Sequence, residues 1–93
     1  MGLRFEWDSR KATSNLRVHG VSFDEASTIF ADPLSITIYD PEHSAAEMRF
    51  LDVGLSHRGR LVVVSYTERG DQIRIISARA ATRNEQRQYE EGE

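Results

Sequence analysis

Cysteine is absent from the chain, which excludes disulfides and thiolate chemistry and is compatible with a cytoplasmic protein. No apolar run approaches the ~20 residues that a membrane span needs, and the N-terminal residues lack the apolar core of a signal peptide. Walker A, G-x-G-x-x-G, H-E-x-x-H and nucleophile-elbow patterns are all missing, so neither a nucleotide cofactor nor a serine-hydrolase arrangement is expected. The three histidines, His19, His43 and His57, stand far apart in different turns, and their spacing resembles no metal-ligand set. His43 and His57 read as solvent-facing turn residues. No cofactor and no metal are expected.

What is present is ordinary for a soluble globular protein: 93 residues, 39% hydrophobic and 29% charged. That length makes one domain, 1–93, ordered over about 5–90 with frayed ends. Net charge is −3, which taken whole argues against a nucleic-acid partner. The distribution argues otherwise. Residues 1–56 hold five Lys/Arg against nine Asp/Glu, whereas residues 57–87 hold seven arginines against Glu68, Asp71 and Glu85. Segregated positive charge can make a local anion-binding field; solvated strand and helix arginines are the plainer reading.

Phe5-Glu6-Trp7 forms a brief opening strand or a plug against a sheet. Asp8 is placed to cap a helix running to Arg17, with Ala12 and Leu16 as its thin inner stripe and Gly20 as its stop. Ser22 and Glu25 form a capping box for a second helix, in which Phe23, Ala26, Ile29 and Phe30 share a buried face and Pro33 marks the end. Together these predict a helical hairpin. The period then changes to two: Leu34, Ile36 and Ile38 face one way. A turn at Asp40–Ser44, an ambiguous Ala45–Glu47, and a strand from Arg49 to Leu55 follow. The stretch Leu61–Thr67, a turn at Glu68–Asp71, and Gln72–Ala78 make a hairpin, with Ile73, Ile75 and Ser77 on one face and Arg74, Ile76 and Ala78 on the other. Thr82 and Glu85 cap a closing helix over Arg83–Glu90. Short links favour an antiparallel meander, so the expected class is α+β, with one helical layer on one sheet face.

One set of side chains rises above this background: Arg69, Arg79 and Arg83, with Glu68, Tyr89 and His19. Cleaving RNA through its 2′-hydroxyl requires uptake of the hydroxyl proton, stabilisation of the phosphorane charge, and a donor to the leaving 5′-oxygen. Arginine supplies the second, because its planar fork matches phosphate oxygens. Glu68 or His19 can serve acid–base chemistry, and Tyr89 can donate a proton or stack on a base. The bland reading of Glu68 is a turn carboxylate paired locally with arginine.

The F-E-W-D opening, the helix ending in H-G-V-S-F-D-E-A, the Asp32-Pro33 pair, and T-E-R-G-D-Q-I-R-I-I-S-A-R-A-A-T-R together resemble the BrnT toxin family, over Phe5 to about Glu90. The resemblance implies a small metal-independent endoribonuclease with a RelE-like fold, the toxin of a type II toxin–antitoxin pair that inhibits translation. It also implies a BrnA-type ribbon-helix-helix antitoxin, with promoter DNA bound only through the complex. Carried over by position, the family's active-site character falls on Glu68, Arg69, Arg79 and Arg83, and its helix-end histidine on His19. Val18 and Ala80 stand where the family usually carries basic residues. A non-catalytic module that holds RNA or an acidic partner segment is the competing reading.

Overall fold

The computed structural model describes residues 3–39 and 48–92, Tyr39 by its backbone alone. The turn expected at Asp40–Ser44 with His43, and the ambiguous Ala45–Glu47, lie outside the described residues. The elements run β1 (Arg4–Glu6), α1 (Ser9–His19), α2 (Phe23–Ser27), a 3-10 turn (Thr28–Ala31), β2 (Ile36–Tyr39), β3 (Phe50–Leu55), β4 (Leu61–Arg69), β5 (Gln72–Ala80) and α3 (Arg83–Glu91).

The expected class, α+β, holds. The sheet has five strands in the order β1-β5-β4-β3-β2. Four of them form the antiparallel meander that short links dictate. The expectation of a wholly antiparallel sheet is corrected by β1, which pairs parallel with β5, Phe5 opposite Ile73. The short-link rule governs only neighbours in sequence. β1 reaches β5 through the whole intervening chain, so nothing local sets its direction.

The second helix is also corrected. It ends at Ser27 and tightens into the 3-10 turn. The Ser27 hydroxyl donates back to the Asp24 carbonyl at 2.7 Å and the Thr28 hydroxyl to the Glu25 carbonyl at 2.6 Å, a side-chain competition that bends or ends helices.

Helices cover both faces of the sheet, not one. Val21, Phe23, Ala26 and Ile29 of the α1–α2 segment pack with Val62, Val64, Tyr66, Ile73, Ile75 and Ala78. On the opposite face, Ile36, Val53, Val63 and Ala81 are covered in part by Tyr89 of α3. The second layer was hidden because α3 is short and almost wholly polar, and a single tyrosine carries its anchoring.

The alternation expected along β5 breaks at Ile76. Ser77 pairs with Ser65 and Ile75 with Tyr66, which leaves Ile76 as an inserted bulge residue. The bulge changes the phase of the strand. Ala78 joins Ile73 and Ile75 in the core, while Ser77 turns to the outer face.

Gly54 is required by close approach. A Cβ there would lie 2.9 Å from Ile29 Cβ and 3.2 Å from the Ile29 carbonyl oxygen. The 3-10 turn can therefore sit directly on β3.

Candidate functional site

Strand phase places the basic residues. Val63 lies in the α3-side cluster, so its neighbour Arg79 shares that face. The register then adds Ser65 opposite Ser77, Thr67 opposite Arg74, and Arg69 opposite Gln72. Along β4 and β5, the face away from α1 and α2 thus presents Arg69, Arg74 and Arg79 with Ser65, Ser77 and Thr67 between them. Thr67 is 1% exposed, and its hydroxyl has no hydrogen-bond partner among the described residues, which is costly for a buried polar group.

The six expected site residues do not converge. Glu68 pairs with Ile73 near the hairpin tip, whereas Arg79 pairs with Val63. Five residues of β4 separate the two levels, ~17 Å at a strand's rise of ~3.3 Å per residue. Alternation also turns Glu68 toward the α1–α2 face, where its charge raises the pKa of Asp52. Arg69 lies at the tip on the arginine-bearing face. His19 belongs to neither group. It lines a groove of about 220 Å³ with Lys11, Ser14, Asn15, Val18 and Ile76, between α1 and the edge of β5.

Arg79 lies near the end of β5 and Arg83 opens α3, across the short turn between them. The capping box is complete: the Thr82 hydroxyl accepts from the Glu85 N–H at 3.2 Å, and Glu85 Oε1 accepts from the Thr82 N–H at 2.8 Å. The same carboxylate takes two bonds from Arg79, Nη1 at 2.8 Å and Nη2 at 2.9 Å. The Arg79 bond holds the Glu85 carboxyl down to about 2, with burial opposing and the Thr82 N–H assisting. Arg83, the first residue of α3, is exposed and makes no hydrogen bond or ion pair among the described residues. Tyr89 sits further along α3, and its hydroxyl already donates to Asp32 Oδ2 at 2.7 Å. That bond raises the phenol's pKa, which disfavours it as a proton donor at neutral pH.

Other functional-looking groups escape the sequence reading. Glu25, read as half of a capping box, accepts nothing from Ser22. The Ser22 hydroxyl does cap the Glu25 N–H at 3.0 Å, but the Glu25 carboxylate turns inward and is 2% exposed. There it takes Arg60 Nε at 2.7 Å, Arg60 Nη2 at 2.6 Å and the Ser56 hydroxyl at 2.7 Å. Arg60 holds its pKa to about 2 against the cost of burial. Arg60 also donates to the Gly20 carbonyl at 2.8 Å, tying the end of α1 to the β3–β4 turn. His57, on that turn, is exposed as expected. It rims a pocket of about 310 Å³ with Thr28, Ala31, Asp32, Leu55 and Ser56. Asp32 accepts from the backbone N–H groups of Leu34 and Leu55 as well as from Tyr89. Burial pushes its carboxyl up, and the three donors outweigh that and leave it lowered. Asp52 is buried and takes the Tyr66 hydroxyl at 2.9 Å. Here burial wins and raises the pKa. No sequence motif marks Glu25, Asp32 or Asp52 as partners of distant groups; only the Asp32-Pro33 pair stands out. Among the described residues, no three His, Asp or Glu side chains gather as a metal site would require, and no helix is long and apolar enough to cross a membrane.

Residues 7–85 match the family model described as the ribonuclease toxin BrnT of type II toxin–antitoxin systems. Among solved structures, the chain is similar to the 1.1 Å crystal structure of the Brucella abortus ribonuclease toxin BrnT. The TM-score is 0.64 at 20% identity, covering 88% of this chain and 100% of that one. At that identity the likeness speaks for the fold. A comparison with curated proteins finds no match.

Proposed function

The chain belongs to the BrnT family of ribonuclease toxins of type II toxin–antitoxin systems, and from that premise we propose that it is a metal-independent endoribonuclease that cuts RNA in the cytoplasm and so inhibits translation. The observation that carries the reading is the row Arg69, Arg74 and Arg79 on the outer sheet face, continued by Arg83 at the start of α3. Alternation along two strands points these side chains to one side, and Ser65 and Ser77 between them leave the face polar rather than apolar. An RNA strand laid along β4 and β5 meets these guanidinium groups in turn, Arg79 and Arg83 at the end where β5 leads into α3. In this reading those two stabilise the charge that grows on the phosphorane as the 2′-oxygen attacks and the 5′-oxygen leaves. Arg69, ~20 Å along the strand, holds the backbone further along. Of the groups proposed for proton transfer, Tyr89 is engaged with Asp32 and Glu68 lies on the other face. His19 sits at the β5 edge beside Lys11. The RelE-like arrangement and a BrnA-type antitoxin that covers the arginine face and carries the complex to promoter DNA belong to the same proposal.

The second reading, a module that binds without cutting, is favoured by the engagement of Arg79 and Tyr89 and by the scatter of the acid–base candidates. Purified, antitoxin-free protein mixed with RNA in EDTA separates the two. Cleavage is expected, and changing Arg79 and Arg83 together to alanine is expected to lower it roughly 100-fold or more. Undiminished cleavage by the double variant removes these arginines from the mechanism; tight binding without any cut establishes the second reading.

A further inference from the structure

Arg79 is tightly constrained on the arginine face, and the manner of its constraint has chemical content. A guanidinium carries five N–H donors in a rigid plane. Glu85 occupies the end-on pair, one hydrogen of Nη1 and one of Nη2. The Ala80 carbonyl lies 3.3 Å from Nη1. The Nε–H and the second hydrogen of Nη2 form the side-on fork, and they have no acceptor among the described residues. The Arg79 side chain is 40% exposed, whereas that of Glu85 is 15% exposed, and the unpartnered Nε of Arg79 is reachable from solvent. Glu85 is itself fixed by the Thr82 backbone. The first turn of α3 therefore works as a clamp on one arginine.

We infer that Glu85 is a positioning residue, which aims the side-on fork of Arg79 at a phosphodiester of the bound RNA. This rests on the ribonucleic-acid reading of the arginine face. Two parallel N–H donors match two non-bridging phosphate oxygens, and a side chain already held in place loses less freedom on binding. The pair as a whole carries no net charge, so Arg79 acts through direction, while Arg83 supplies the attraction.

That division gives the inference a sign that simple charge arguments do not share. Glu85→Gln removes a negative charge beside the RNA and keeps an oxygen for the Thr82 N–H. If Glu85 only neutralised Arg79, the variant would bind RNA more tightly. As a positioning residue, its loss weakens binding. Thr82→Ala is the control, because it removes the hydroxyl cap and leaves the Arg79–Glu85 bonds intact. The probe is a 2′-O-methyl oligoribonucleotide, which has no nucleophile and cannot be cut. Affinity is read by fluorescence anisotropy at one salt concentration, and the Arg79 Nε–H resonance is followed by NMR. Wild type is expected to bind with a shift of that resonance. Glu85→Gln should bind roughly tenfold more weakly, and Thr82→Ala within about twofold of wild type, its cost falling on helix stability instead.

Tighter or unchanged binding by Glu85→Gln overturns the inference. So does an equal loss in Thr82→Ala, or an Arg79 resonance that stays still when the oligonucleotide saturates wild type. Parallel cleavage assays keep the two conclusions apart. If the Arg79 shift and the Glu85→Gln loss appear but natural RNA stays whole, the nuclease reading fails and the positioning role stands. If wild type cuts RNA and Glu85→Gln binds as well as wild type, the positioning role fails and the nuclease reading stands.

Discussion

The two faces of the sheet are made from the same strands and do different work. Toward α1 and α2, β4 and β5 contribute Val62, Val64, Tyr66, Ile73, Ile75 and Ala78, all buried. Toward α3 the same strands contribute Val63 at one end, then Ser65, Ser77, Arg74, Arg79 and Arg69. The first face is closed over an apolar core. The second carries a smaller apolar cluster, on which Tyr89 packs, and polar and basic side chains along β4 and β5 toward the hairpin tip. Alternation at a period of two lets one hairpin carry both faces, so stability and chemistry can be assigned to opposite sides of single strands. The bulge at Ile76 completes that separation by turning Ala78 inward and Ser77 outward.

The comparison is sharpest at Arg60. Replacing it with alanine leaves the buried Glu25 carboxylate with only the exposed Arg58, 3.9 Å away, and the expected loss, discounted for the partial exposure of Arg60, is about 3 kcal/mol, read as a lower denaturation midpoint. The same pair fixes a pH dependence. The folded-state pKa of Glu25 is depressed from 4.5 to about 2, so its contribution to stability is present above pH ~4.5 and is lost as pH falls from there toward ~2. Arg60→Ala should flatten the acid limb of a stability profile over that window. An unchanged acid limb would mean that the pair does not anchor the closed face.

Gly54→Ala is the next largest effect. Its Cβ would meet Ile29 Cβ at 2.9 Å, and overpacking of this kind costs about 1–3 kcal/mol. Thermal melts check it, and a neutral result would show that the 3-10 turn rides loosely on β3. Tyr89→Phe should cost least, about 0.5–1.5 kcal/mol for one hydrogen bond lost from Asp32, because the ring remains over Ile36 and Val63. If cleavage falls far more than stability in this variant, the hydroxyl has a second role on the arginine face.

Much of the fold was legible. The period-two runs, the Thr82–Glu85 capping box and the short links specify four strands and the closing helix, because each is a local signal. β1 was legible as a strand but not in its direction, since its partner lies 68 residues away, Phe5 opposite Ile73 being one such pair. Glu25 shows the limit best. Its spacing from Ser22 is that of a cap, yet Arg60, 35 residues on, offers two charge-assisted bonds in a dry site and outcompetes one exposed backbone N–H. The candidate site divides similarly. The arginine-rich character of the C-terminal half was visible; the distance between Glu68 and Arg79 was not.

The sequence by itself determined the α+β class, the family and the list of arginines, because periodicity, caps and motifs are written in residues close along the chain. Tertiary structure alone decided which arginines share a face, which are already clamped, and which acids lie behind them. Those outcomes depend on strand register, on one inserted residue at Ile76, and on contacts between groups far apart in sequence. A bulge reverses every side chain beyond it, and no local propensity announces where it falls.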